Sequence, residues 1–180
     1  MTVVRCPWGD DPAMQEYHDT EWGRELHGDR ELFERMSLEA FQSGLSWAII
    51  LRKRDGFRAA FHDFDPEAVA AFGETDVARL LADAGIVRNR LKIEATISNA
   101  RTLLGLEESF SDLLWSFAPP PRPAPRSLAD VPATTRESVA MAKALKKKGF
   151  RFVGPTTAYA LMQATGMVND HLEDCIARSA

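Results

Sequence analysis

Ala142-Lys143-Ala144-Leu145-Lys146-Lys147-Lys148-Gly149-Phe150-Arg151-Phe152-Val153-Gly154-Pro155-Thr156-Thr157-Ala158 decides how this chain is read. Gly149 ends one helix and Gly154-Pro155 opens the next, so the run reads as helix, hairpin, helix. Phe150, Phe152 and Val153 are expected to anchor the tight turn. The second helix starts with free backbone N–H groups and the positive end of a dipole. A glycine just before it lets a phosphate come close. From Ser138 to Asn169 there is no acidic residue, while Lys143, Lys146, Lys147, Lys148 and Arg151 fall inside that stretch. Such an element grips a nucleic-acid backbone and not its bases. The contacts expected are Lys147, Lys148, Gly149, Arg151, Gly154 and Thr156. A solvated, lysine-rich helix end followed by a plain turn is the competing reading, and the missing acids favour phosphate contact.

Outside that run, helix signals dominate. Asp29 is read as the cap of a helix with Leu32, Phe33, Met36, Leu38 and Phe41 on its buried face, running past Gly44 to about Leu51. Asp65-Pro66 starts a short helix. Thr75 caps another that ends at Gly85. Residues 88–104 place Leu91, Ile93, Ile97, Ala100 and Leu104 on one side. Ser109 or Ser111 caps an aromatic helix ending near Phe117, and Thr134 with Glu137 forms a capping-box pattern. The helix opened by Pro155 ends at Gly166. No alternating β-branched run supports a sheet. The expected class is all-α, a single unit over residues 1–180 with the helix-hairpin-helix at about 138–166. The proline-rich run Pro119 to Pro125 reads as a stiff surface loop.

The chain has 180 residues, 45% of them hydrophobic and 27% charged, with net charge −4. That supports a packed core and excludes a mostly disordered chain. No apolar run approaches the roughly 20 residues of a membrane span. No secretory signal is read before Cys6, so the expected compartment is the cytoplasm. The acidic net charge says less about nucleic acid than the one purely basic segment does.

There are two cysteines and four histidines. Cys6 and His18 lie near the start; His171 and Cys175 lie near the end, four residues apart and on one face if helical. Two thiolates and two imidazoles suit a closed tetrahedral zinc site. Two ordinary buried thiols read equally well from spacing alone. Reducing cytoplasm argues against a disulfide. A closed ligand set leaves no position for water, so zinc hydrolysis is disfavoured. A metal here would clip together ends bracketing roughly 150 residues.

Trp8, Tyr17, Trp22, Phe33, Phe41 and Trp47 crowd the first third of the chain, with Glu39 among apolar neighbours. Glu39 and Trp47 are eight residues apart and share a face if their helix is continuous. Aromatic faces attract cations, and a carboxylate accepts hydrogen bonds from a base edge, so the set suits an electron-poor, methylated purine. Core packing for the aromatics and a surface or ion-paired Glu39 are the alternatives.

Several runs together carry a resemblance. Tyr17-His18-Asp19-Thr20-Glu21-Trp22-Gly23, Ser43-Gly44-Leu45-Ser46-Trp47, Lys146 to Gly154, Val168-Asn169-Asp170-His171, Phe61-His62-Asp63-Phe64-Asp65-Pro66, Asp83 to Arg88 and Trp115-Ser116-Phe117 occur in order. They closely resemble the DNA-3-methyladenine glycosylase I family, across almost the whole chain. The resemblance implies a helix-hairpin-helix glycosylase-like fold. It implies one structural zinc on Cys6, His18, His171 and Cys175. It implies a 3-methyladenine pocket with Glu39 as its acid, Tyr17 and Trp47 as its aromatics, and Trp8 and Trp22 close by. Gly44-Leu45 match the turn that fills the gap left by a flipped nucleotide. Met14 stands where some members carry tyrosine, and Phe41 where glutamine can occur, which puts the pocket edge in question.

The activity so implied is hydrolysis of the N-glycosidic bond of 3-methyladenine in alkylated double-stranded DNA. It releases the free base without strand cleavage, and the enzyme is expected to be a monomer. The wider superfamily places a catalytic aspartate after the hairpin. Asn169 takes that position here, Asp170 is expected to point towards the zinc side, and Glu39 is left as the acid of recognition and catalysis. A non-catalytic lesion-binding protein is the alternative class.

Overall fold

A computed structural model describes residues 2–180. The described residues form helices and turns, with no strand. The α-helices are α1 (Pro12–Thr20), α2 (Asp29–Gln42), α3 (Trp47–Ala60), α4 (Pro66–Ala70), α5 (Glu74–Leu81), α6 (Arg90–Leu104), α7 (Phe110–Trp115), α8 (Arg136–Lys148) and α9 (Pro155–Ala164). Short 3-10 turns lie at Pro7–Asp10, His62–Phe64 and Leu128–Asp130. Among the described residues no helix is long and apolar enough to cross a membrane.

α2 is the central helix. It packs against α3, α6, α7 and α9, while α4 lies on α6 and α8 on α9. Its apolar positions Leu32, Phe33, Met36, Leu38 and Phe41 are all buried as their spacing predicts. Phe41, Phe57, Phe61, Phe64 and Phe72 join through ring contacts in the core. Phe41 is fully buried there, so it is a core residue and does not edge a pocket.

The long helix expected up to Leu51 is in fact two. Gly44 adopts φ +80°, left-handed backbone that a helix cannot contain. Ser46 then caps α3, its side chain accepting from the Ile49 N–H. Buried Lys92 of α6 braces the break, its Nζ donating to the Phe41 carbonyl at 2.9 Å and the Ser43 carbonyl at 2.6 Å. These are end-of-helix carbonyls without intrahelical partners, and a cation there suits the dipole.

Several caps shift by a residue or two. Gly28 precedes α2, and the Asp29 carboxylate accepts instead from the Ser111 N–H in the first turn of α7, at 2.9 Å. Gly73, not Thr75, caps α5, which ends at Leu81. Thr135, not Thr134, caps α8, and its reciprocal partner is Ser138, not Glu137. Leu91 and Leu104 of α6 are exposed, while Ile93, Ile97 and Ala100 face the core. Asp65 and Pro155 stand at helix starts as expected, and of the two candidates Ser109 and Ser111 it is Ser109 that caps α7.

α8 ends on Gly149 at φ +105°, and a short turn from there to Gly154 carries the chain into α9. Buried Asn99 holds its middle twice: its Oδ1 accepts from the Arg151 N–H at 2.8 Å, and its Nδ2 donates to the Arg151 carbonyl at 3.0 Å. Phe150 and Val153 anchor the turn in the core. Phe152 does not: at φ +61° it is 42% exposed.

Candidate active site and metal site

The chain ends meet. The Ile176 N–H donates to the Val4 carbonyl at 2.9 Å, and Cys6, Cys175 and Ala177 form a small buried cluster with Trp8 and Leu172 against it. Within it Cys6, His18, His171 and Cys175 bring one ligand atom each to within 4.8 Å of one another. His171 and Cys175 converge through turns, not on a helix. The Cys175 sulfur stands 3.5 Å from His18 Nε2 and 3.5 Å from His171 Nδ1, and the Cys6 sulfur 3.8 Å from His171 Nδ1. A tetrahedral ion with metal–sulfur bonds of about 2.3 Å and metal–nitrogen bonds of about 2.0 Å separates such atoms by about 3.6 Å. The donor set and spacing therefore fit a metal ion.

The surroundings fit as well. His18 Nδ1 donates to the Asp19 carboxylate at 2.7 Å, which Arg5 holds in turn. His171 Nε2 donates to the Trp22 carbonyl at 2.8 Å. Each imidazole is thus fixed with its other nitrogen free towards the cluster, as metal ligands require. Burial pushes the His171 pKa down to about 4 and keeps the ring neutral. Burial pushes the Cys6 thiol up to about 11, so a cation is needed to hold it as thiolate. The two cysteines are free and not joined.

The same α1 that carries His18 carries Tyr17, and a cavity of about 430 Å³ opens beside the cluster. Trp8, Tyr17, Trp22, Glu39 and Trp47 all line it, joined by Met14, Gln42, Leu128, Val131, Ala160, Gln163 and Asp170. Tyr17 and Trp47 lie 5.4 Å apart, tilted by 42°. Trp8 meets His18 edge-on at 4.8 Å and Trp22 meets His171 edge-on at 4.7 Å. The Cys/His cluster is therefore the back of the aromatic wall. Glu39 and Trp47 reach this cavity from two helices, not from one face of one helix.

Glu39 is 6% exposed. Burial raises its pKa to about 8, against a smaller opposing pull from Arg35. Arg35 donates through Nη2 to Glu21 at 2.7 Å while its buried Nη1 has no partner among the described residues, and Arg54 grips the same carboxylate with bonds of 2.7 and 2.8 Å. Burial opposes ionisation of Glu21, but Arg54 and Arg35 outweigh it and hold its pKa low. The carboxyl of Glu39 takes part in no hydrogen bond among the described residues. The buried Tyr17 hydroxyl and Trp47 indole N–H are also without partners.

Of the residues expected at a DNA backbone, Gly44, Lys147, Lys148, Gly149, Arg151, Gly154 and Thr156 are exposed and Leu45 is half-buried. A Cβ on Gly154 would meet nothing, so the start of α9 is open. Lys148 is partly committed, 3.2 Å from Glu108. The expectation for Asp170 is corrected. It lines the cavity, while Asn169 is exposed and its side chain donates to the Arg178 carbonyl at 3.1 Å. Sequence reasoning missed Gln42, Leu128, Val131, Ala160 and Gln163 as lining residues. Only the helical pairing of Ala160 with Gln163 hinted at a shared face.

A cavity walled by four aromatic side chains, with two buried acids (Glu39 and the ion-paired Asp170) and unpaired polar groups, defines a receptor for a flat, nitrogen-bearing ring. The pattern of the methyladenine glycosylase family matches residues 8–179, and the chain belongs to that family of enzymes. It is 49% identical over 179 residues to DNA-3-methyladenine glycosylase 1 of Escherichia coli (strain K12), covering 96% of each chain. A crystal structure of 3-methyladenine DNA glycosylase I superposes with TM-score 0.94 at 50% identity, over 97% of this chain and 100% of that one. A tyrosine-to-phenylalanine variant of such an enzyme, in complex with 3-methyladenine, superposes with TM-score 0.91 at 35% identity, over 96% of each chain.

Proposed function

We propose that this chain removes 3-methyladenine from alkylated double-stranded DNA, leaving an abasic site and an uncut strand. The observation that carries the reading is one aromatic cavity that brings the buried Glu39 carboxyl together with the Tyr17 hydroxyl and the Trp47 indole N–H, the latter two without hydrogen-bond partners among the described residues. Buried polar groups lacking partners are costly, and a bound ligand is the ordinary remedy.

The nucleotide must leave the stack to reach such a pocket. The hairpin and α9 grip the backbone through Lys147, Lys148, Gly149, Arg151, Gly154 and Thr156, and Gly44-Leu45 fill the gap. A purine methylated at N3 is cationic, which suits faces from Trp8, Tyr17, Trp22 and Trp47. Glu39 is largely protonated in the empty pocket near neutrality. A cation beside it favours its ionised form, so entry of the base expels its proton. The C1′–N bond then breaks with its electron pair passing into the ring, which neutralises the base. Water adds to C1′ and gives its proton to solvent. A cationic leaving group needs little further chemical help, so Glu39 serves recognition and charge stabilisation first. No lysine lines the cavity, which supports chemistry without a Schiff base and hence without strand cleavage.

Cys6, His18, His171 and Cys175 would hold one zinc ion, which supplies structural closure and not a hydrolytic water. The chain acts as one unit over residues 1–180, with a helix-hairpin-helix at about 138–166. It works as a monomer in the cytoplasm.

The test is incubation of the protein with methylated DNA and chromatography of the released bases, with Glu39→Gln in parallel. Release of 3-methyladenine that collapses in the variant supports the reading. Folded, metal-loaded protein that binds DNA and releases nothing would be a lesion-binding protein instead.

A further inference from the structure

Part of the cavity wall is built from α9 and the segment just after it, through Ala160, Gln163 and Asp170. There Asp170 is fully enclosed and gathers three donors. Arg122 donates to its Oδ1 at 2.6 Å, Gln163 Nε2 donates to its Oδ2 at 3.0 Å, and the Tyr159 hydroxyl also donates to Oδ2. A carboxylate paired with a guanidinium accepts and does not donate. It therefore fixes which way the Gln163 amide faces: nitrogen towards Asp170, oxygen away. Gln163 lines the cavity, and its Oε1 accepts from no group among the described residues. Gln42 repeats the arrangement, its Nε2 donating to the Leu45 carbonyl at 2.6 Å with Oε1 unpaired.

We infer that Gln163 is a specificity-determining residue and that Asp170 is its positioning residue, locking the amide so that its oxygen faces the bound base. This rests on the glycosylase reading. Adenine carries an amino group at position 6 where guanine carries a carbonyl oxygen. An amide oxygen accepts from the first and repels the second, and a locked amide cannot turn to accommodate the second. Selectivity between 3-methyladenine and 3-methylguanine thus depends on the hydrogen bond between Gln163 and Asp170 within the pocket wall.

The discriminating variant is Asp170→Asn. Arg122 keeps the new side chain's oxygen at the Oδ1 position, so its nitrogen falls opposite Gln163. Gln163 then turns its oxygen towards residue 170 and its N–H groups towards the base. Release of both bases from methylated DNA is followed in single turnover, with metal content and melting temperature measured alongside. The ratio of 3-methylguanine to 3-methyladenine release is expected to rise about tenfold, the effect of one mispaired buried group. A merely structural role would slow both bases alike. Gln163→Leu deletes both ends of the amide. It is expected to slow 3-methyladenine release about tenfold without accelerating 3-methylguanine, and it decides the matter if the first variant does not fold. Native protein that releases no base overturns the glycosylase reading and this inference together. Active native protein with an unchanged base ratio in Asp170→Asn, or an unchanged rate in Gln163→Leu, overturns this inference alone.

Discussion

Replacing Glu39 by glutamine should make the protein more stable in a strongly pH-dependent way. In the native chain burial lifts this carboxyl from its ordinary 4.5 to about 8. The folded state therefore keeps a proton that the unfolded chain releases over that interval. The stability associated with Glu39 is fully present below about pH 4.5 and is lost as pH rises through about 8. At about 1.4 kcal/mol per pH unit the full interval corresponds to about 5 kcal/mol. Between pH 5 and pH 8 the native protein should lose about 3 kcal/mol that the variant keeps, since glutamine does not titrate. For a chain of this length that is roughly 6 to 12 °C in melting temperature. Thermal denaturation of both metal-loaded proteins at pH 5 and pH 8 measures it. Every other titrating group is common to the two proteins and cancels. A melting-temperature difference that stays constant from pH 5 to pH 8 would refute the claim that Glu39 sits protonated in a desolvated pocket. The same variant should lose base release, so the acid is retained for function at the expense of stability.

Binding of DNA that carries a cationic methylated base should release about one proton near pH 7, seen by calorimetry as observed heats that vary with the ionisation enthalpy of the buffer; the same observed heat in every buffer would argue against ionisation of Glu39. Gly9→Ala should lower metal content and melting temperature, because its Cβ would lie 2.5 to 2.8 Å from three atoms of the His18 ring; native elemental stoichiometry in that variant would contradict the packing. Lys147→Ala should reduce the slope of log affinity against log salt by about 1 and leave binding of the free base unchanged. Lys148→Ala should reduce it by less, since Lys148 already has Glu108 as a partner.

The helices of this protein were legible wherever spacing and punctuation agreed. The buried face of α2, the proline starts of α4 and α9, and Gly149 at the end of α8 all follow from local rules. The break at Gly44 was not legible, because apolar spacing carries across it and the glycine by itself fits either reading. What splits the helix is a left-handed backbone braced by Lys92, which arrives from α6. Caps slipped because Thr134 and Thr135 offer nearly the same local chemistry.

For the site, the family resemblance chose the metal and pocket readings over buried thiols and core packing, while residue types brought forward Cys6, His18, His171 and Cys175, and Glu39 among the aromatics, as candidates. They did so because thiols, imidazoles, one acid in an apolar run and clustered rings are chemically unusual wherever they occur. Which atoms meet was settled only by the tertiary fold. His171 and Cys175 converge through turns, Glu39 and Trp47 from separate helices, and Asp170 turns into the cavity while its neighbour Asn169 turns out. The physical reason is that local sequence fixes backbone preference over a few residues. A pocket wall is instead set by long-range packing, here α9 against α2 and the two chain ends against each other.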